Sequence, residues 1–162
     1  DAELNGAGAL MDYCCYGAVL ADVLLGRPKQ VNGIKISTGL KPDLTLEDNA
    51  ILVLTYNNAL ATTEASWTQI DKLTSYSTTL YGSNGTLLID PDHGGSIRLA
   101  NAEHPDGIAL KIPGQPAHLE NASTHFLAAL NDPELSIHPL CDAEHGYGSQ
   151  WILEEGIRSA DL

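Results

Sequence analysis

Positive charge is scarce in this sequence: its 162 residues carry eight Lys and Arg against 21 Asp and Glu, a formal net charge of -13. Such a surface repels a polyphosphate backbone, so no nucleic-acid partner is expected. Long apolar runs are missing too. The longest nearly continuous one, residues 14–25, is broken by Asp22 and falls short of the roughly 20 residues a bilayer crossing takes, so no transmembrane helix and no membrane partner are expected. The opening Asp1-Ala2-Glu3-Leu4-Asn5 has neither a basic n-region nor a cleavage motif, and no signal peptide is expected. The three cysteines, adjacent Cys14 and Cys15 and distant Cys141, make neither a CxxC pair nor a disulfide framework. A reducing, cytoplasmic location is the expectation.

Metal-ligand spacing is likewise lacking. His93, His104, His118, His125, His138 and His145 form no HxH or HExxH pattern, and no metal site is expected. Ser123, Ser149 and Ser159 stand in no nucleophile-elbow context, which argues against a hydrolase.

What is present suffices for one core: 43% of residues are apolar and 18% charged, a globular balance. Residues 7–25 are small and apolar almost throughout, and Gly26-Arg27-Pro28 then ends what reads as one buried helix. A strand follows over 29–37. Residues 50–56 and 61–69 flank Asn57-Asn58 as a hairpin, and 76–81 and 86–89 flank Gly82-Ser83-Asn84-Gly85 as a second. Weaker strands are expected over 96–100 and 108–112. Asn121 or Ser123 caps a helix to about Leu130, and Asp142 starts a last helix to about Ser159. This order predicts an α+β domain with an open, mainly antiparallel β-sheet and helices on one face. The run Ile51-Leu52-Val53-Leu54 calls for cover on both faces, so a partner subunit is expected on the other, making a homodimer or larger assembly.

Gly6-Ala7-Gly8 invites a dinucleotide-binding reading, but the third glycine is replaced by Met11 and no strand precedes it. Its plainer reading is a helix opening that lets backbone or ligand come close. Asp12 and Tyr16, four apart, share one helix face. A carboxylate among Leu10, Met11, Cys14 and Cys15 must be solvated in a cleft or satisfied by backbone amides as a buried structural group. Tyr16 alone is equally a packing aromatic. His125, on its helix, and His138 can approach a cleft, though spacing does not demand it.

The stretch Gly6-Ala7-Gly8-Ala9-Leu10-Met11-Asp12-Tyr13-Cys14-Cys15-Tyr16 with Leu24-Leu25-Gly26-Arg27-Pro28 resembles the helix that opens the C-terminal domain of the glucose-fructose oxidoreductase, inositol dehydrogenase and MocA family. Ala65-Ser66-Trp67 resembles that domain's mid-sheet strand, Leu80-Tyr81-Gly82-Ser83-Asn84-Gly85-Thr86-Leu87 its glycine-bearing hairpin, Thr124-His125-Phe126-Leu127-Ala128-Ala129-Leu130 a later helix, and Gly156-Ile157-Arg158-Ser159-Ala160 its closing helix. The order of these segments carries the resemblance over nearly the whole chain.

The resemblance implies that residues 1–162 form a C-terminal substrate-binding and dimerisation domain, without the family's N-terminal Rossmann domain and its catalytic lysine. It implies hydride transfer between NAD or NADP and a hydroxyl-bearing carbon of a sugar, polyol or cyclic diol. Asp12 falls on the family's conserved carboxylate and Tyr16 on its proton-relay position, the catalytic pair. Gly8, Cys14 and His125 are the expected substrate contacts. Two positions depart from the pattern: Ala7 interrupts the glycine triplet and Cys14 replaces a glycine, which points to an unusual substrate or a reduced catalytic role. This fragment alone is expected to hold no cofactor and to be inactive. The alternative is a non-catalytic ligand-binding or dimerisation module derived from the family.

Overall fold

The computed structural model describes residues 7–40, 43–70, 76–91 and 95–162. Gly6 and His93 lie outside the described residues. The chain groups into two compact units, Asp1–Gln69 with His125–Leu162 and Ile70–Thr124.

In the first unit, helix α1 (Ala9–Leu25) leads into an antiparallel sheet of β1 (Gln30–Ile36), β2 (Asn49–Thr55) and β3 (Leu60–Ser66) in that spatial order. Gly26, at φ 74, ends α1 with its amide on the Asp22 carbonyl, because a left-handed residue is needed to turn the chain out of the helix. Strand β1 follows as expected. Strand β3 ends at Ser66 rather than running on to Gln69, and the Trp67 amide adds one more bond in the same register, to the Asp48 carbonyl at 2.7 Å. Helix α2 (Ala122–Asn131) and helix α3 (Ala143–Ala160) close the chain. The Asn121 side chain accepts from the Thr124 amide and Asp142 from the Glu144 amide, so both expected caps form.

Helices α1 and α3 pack together and both lie on one face of this sheet. Burial alternates along β2: Ala50, Leu52 and Leu54 are buried beneath the helices, whereas Ile51 and Val53 on the other face are half-buried. Leu10, Cys14, Ala18, Val31, Ala65, Ile152 and Leu153 complete the core. The approach is close enough to exclude side chains. A Cβ on Gly33 would stand 2.1 Å from the Gly156 carbonyl oxygen, and one on Gly156 would stand 2.4 Å from Leu52 Cδ2.

The second unit is a four-stranded antiparallel sheet of β4 (Thr78–Gly82), β5 (Gly85–Asp90), β6 (Ser96–Ala100) and β7 (Ile108–Ala109). The β4–β5 turn is Ser83-Asn84, closed by the Gly82–Gly85 pair. Strand β7 is shorter than the expected 108–112, with Pro113 just beyond. Register sets Leu80, Leu87, Leu99 and Ile108 on one face. The α+β class and the open antiparallel sheets are as the sequence predicts, with the strands divided between two sheets.

Two carboxylates are buried in the first unit with their partners built in. Asp48 is fully buried; its carboxylate accepts from the Thr38 hydroxyl at 2.6 Å, the Thr38 amide at 3.0 Å and the Asn49 side chain at 2.9 Å. The Thr38 hydroxyl above all, then Asn49 and the Thr38 amide, hold its carboxyl below the ordinary carboxylate value against the opposing effect of burial. Asp22, 6% exposed, meets His145 Nδ1 at 2.8 Å and Arg27 Nε at 3.9 Å, while the Arg27 guanidinium stacks 4.7 Å from the Trp151 ring and 5.4 Å from Tyr147.

Gly33→Ala is expected to destabilise the protein by about 1–3 kcal/mol, because the added methyl meets backbone that can yield only by separating β1 from α3. Urea denaturation beside Gly114→Ala, where the methyl meets open space, is the check, and equal stability of the two variants would contradict the close approach. A lowered folded pKa means that Asp48 stabilises fully above the unfolded value of about 3.9 and that this contribution is lost as pH falls from there through the lower folded value. Asp48→Asn is therefore expected to be less stable than the parent at pH 7 and to lose that deficit progressively as pH falls below about 4. Parallel stability curves from pH 7 to 3 would overturn this account.

Candidate active site

The site begins with how α1 is started. Its N-cap, Gly8, offers no side-chain cap, and a distant segment supplies one: the Glu47 carbonyl accepts from the Ala9 amide at 3.1 Å and Glu47 Oε1 from the Leu10 amide at 3.3 Å. A carboxylate at a helix N-terminus is also favoured by the aligned peptide dipoles. A Cβ on Gly8 would fall 2.2 Å from the Glu47 carboxyl carbon. The space that Gly8 opens is therefore filled by Glu47 rather than left for a ligand. A pyrophosphate does not fit this helix start, since the Ala9 and Leu10 amides are taken and a carboxylate stands in its place.

From this start the helical repeat sets the faces. Cys14 and Ala18 turn inward, and Asp12 and Tyr16 turn outward one turn apart, Tyr16 with 59% of its surface exposed. Of the two readings open for Asp12, the solvent-facing one holds. Its Oδ2 accepts from the indole Nε1–H of Trp67 at 3.0 Å, a bond that spans 55 residues of sequence. Trp67 is half-buried against the core, and its backbone is fixed by Asp48, the residue after the one that caps α1. No spacing in the sequence points to Trp67 or Glu47 as partners of this helix.

Cys14 stands on the opposite face from Asp12. It is buried with Sγ 3.6 Å from the Thr63 carbonyl, and burial pushes its thiol up to about 11. The substitution at this position is thus absorbed in the helix–sheet contact. The Cys15 thiol donates to the Asp12 carbonyl at 3.1 Å and is raised by burial and then by the Asp12 charge. Both thiols are held in their unreactive form. His125 is buried, 2% exposed, and its Nε2 accepts from the His138 amide at 3.0 Å, tying the first turn of α2 to the segment before α3. Both histidines are therefore brought together, in a backbone-bracing contact. Among the described residues, no three His, Cys, Asp or Glu side chains group to hold a metal, and no helix is long and apolar enough to cross a membrane.

Residues 1–88, just over half of the chain, match the family model of the GFO/IDH/MocA C-terminal domain. Curated proteins give no match. Among solved structures, an NAD binding oxidoreductase from Klebsiella pneumoniae shares the fold with a TM-score of 0.77 at 16% identity, over 99% of this chain and 50% of that one. Levoglucosan dehydrogenase, solved with NADH and levoglucosan, gives 0.73 at 16% identity over 96% of this chain and 49% of its own. An inositol dehydrogenase homolog from Azotobacter vinelandii, solved with NAD+, gives 0.69 at 20% identity over 99% and 49%. The chain spans about half the length of the solved structures it matches. With a family model matched over more than half its length, and with the helix, sheets and outward carboxylate described above, the chain belongs to the GFO/IDH/MocA family, as a C-terminal domain of it.

Proposed function

We propose that this domain is the substrate side of an NAD(P)-dependent oxidoreductase acting on a hydroxyl of a sugar, polyol or cyclic diol. The observation that carries the reading is the pairing of Asp12 and Tyr16 one turn apart on the outward face of α1. The relatives solved with NAD+, or with NADH and levoglucosan, support the choice of cofactor and substrate class. The nicotinamide, held by a nucleotide-binding half outside these residues, supplies the acceptor for the hydride. Asp12 accepts a hydrogen bond from a substrate hydroxyl and sets its orientation, and the Tyr16 phenol relays the proton as the carbonyl forms, its oxygen taking the substrate's proton while its own passes to water. Gly8, Cys14 and His125 then act through packing and bracing of the elements that carry this pair. By itself the domain binds no dinucleotide and turns nothing over. Three free cysteines fit work in a reducing cytoplasm.

The sheet of the first unit offers a surface for self-association. Its helix-free face carries Ile51 and Val53 half-buried, with Ile34 65%, Ile36 59% and Leu60 67% exposed. A second copy covering this face would remove that apolar surface from water.

In the protein carrying its nucleotide-binding half, with inositol or levoglucosan and NAD+ as probes, Tyr16→Phe is expected to lower kcat about 10²- to 10⁴-fold with little change in KM, because the ring and its packing remain. Asp12→Asn is expected chiefly to raise KM. Turnover by Tyr16→Phe within about twofold of the parent would make the phenol structural and give the lead to a binding or assembly module. For association, sedimentation at several concentrations is expected to report a dimer that Ile34→Lys and Leu60→Lys dissociate. A monomer at high micromolar concentration would remove the sheet face as an interface.

A further inference from the structure

Trp67 has no place in the chemistry above, yet it makes the one hydrogen bond to the Asp12 carboxylate among the described residues. We propose that Trp67 is a positioning residue that fixes the Asp12 carboxylate for the substrate hydroxyl; this rests on the reading of Asp12 given above.

The argument starts from what a carboxylate on an exposed helix face does when left alone. An exposed Asp turns freely among its rotamers and presents either oxygen to water. The indole N–H at 3.0 Å selects one arrangement, consumes lone-pair capacity on Oδ2 and leaves Oδ1 for an incoming hydroxyl. An indole suits this task because it donates a single hydrogen bond and carries no charge, so the carboxylate is oriented without its negative charge being neutralised.

The donor is itself held at both ends. The Trp67 backbone amide bonds the Asp48 carbonyl at 2.7 Å, and its ring is half-buried against the core. Asp48 is fixed in turn by Thr38 and by the hydrogen bond its backbone amide donates to the Ile36 carbonyl, and its neighbour Glu47 holds the start of α1. Residues 47 and 48 therefore brace the helix that bears the acceptor and the strand end that bears the donor. Distance errors between the two are small in such a frame, and orientation of a reacting group tolerates little error.

Two measurements test the role. In nitrogen–proton NMR spectra of the full chain, two indole N–H signals are expected, from Trp67 and Trp151, with Trp67→Phe assigning them. Asp12→Asn is expected to move the Trp67 signal upfield and leave Trp151 in place. An unmoved signal overturns the bond, and this measurement stands even where Trp67→Phe does not fold. In the enzyme, Trp67→Phe is expected to lower kcat/KM about tenfold through KM, and the double variant with Asp12→Asn to be no worse than Asp12→Asn alone, since the two remove one interaction. Multiplying losses, or an unchanged kcat/KM in Trp67→Phe beside a lowered one in Asp12→Asn, would end the positioning role while the reading of Asp12 stands. An unchanged kcat/KM in Asp12→Asn would end both.

Discussion

Glu47 is the contact on which the arrangement of the site depends. A helix can start in many places along residues 7–12, and each choice rotates every later side chain by a fixed angle. By taking the Ala9 and Leu10 amides, Glu47 selects one start, and Gly8 is the residue that lets the carboxylate come so near. The phase that follows sends Cys14 and Ala18 into the sheet and Asp12 and Tyr16 outward. The helix is thus aimed by a residue 37 positions away in sequence from the amide it caps.

The rest of the first unit keeps the helix at that setting. Glycine at 33 brings the backbones of β1 and α3 into contact and glycine at 156 seats the Leu52 side chain of β2 against α3, which leaves little room for α3 to slide. At the far end of α1, buried Asp22 joins α1 to α3 through His145, while Gly148 leaves room for its carboxylate; a Cβ there would lie 2.4 Å from both Asp22 oxygens. Breaking one partner of such a buried group costs more than the pair contributes, because the other is left without its bond in a dry place. Tyr56 is raised by burial and by the Asp22 charge, which keeps its phenol neutral beside that carboxylate.

Much of this was legible residue by residue. The end of α1 at Gly26, the turn at Ser83-Asn84 and the caps at Asn121 and Asp142 all rest on local chemistry, in which a residue's neighbours within about four positions decide the outcome. Where local signals conflicted, the structure chose. The sequence reads strand on to Gln69, whereas the pairing ends at Ser66 with one further in-register bond, from the Trp67 amide to the Asp48 carbonyl. The resemblance implies a substrate contact at Cys14, where the family has a glycine, but two residues on from Asp12 along a helix is a rotation of about 200°, and the thiol lies on the sheet side.

The sequence by itself determined the α+β class, the order of elements and the pairing of Asp12 with Tyr16 on one helix face, because propensity, capping and the helical repeat act over short distances along the chain. The tertiary structure alone decided which way that face points, that Trp67 holds Asp12, that Glu47 fills the space beside Gly8, and that His125 bonds the His138 backbone. Each of those contacts joins elements far apart in sequence or depends on their packing. No spacing rule encodes such contacts, since they arise only when helix and strand are brought to the same layer and the groups left unsatisfied find one another.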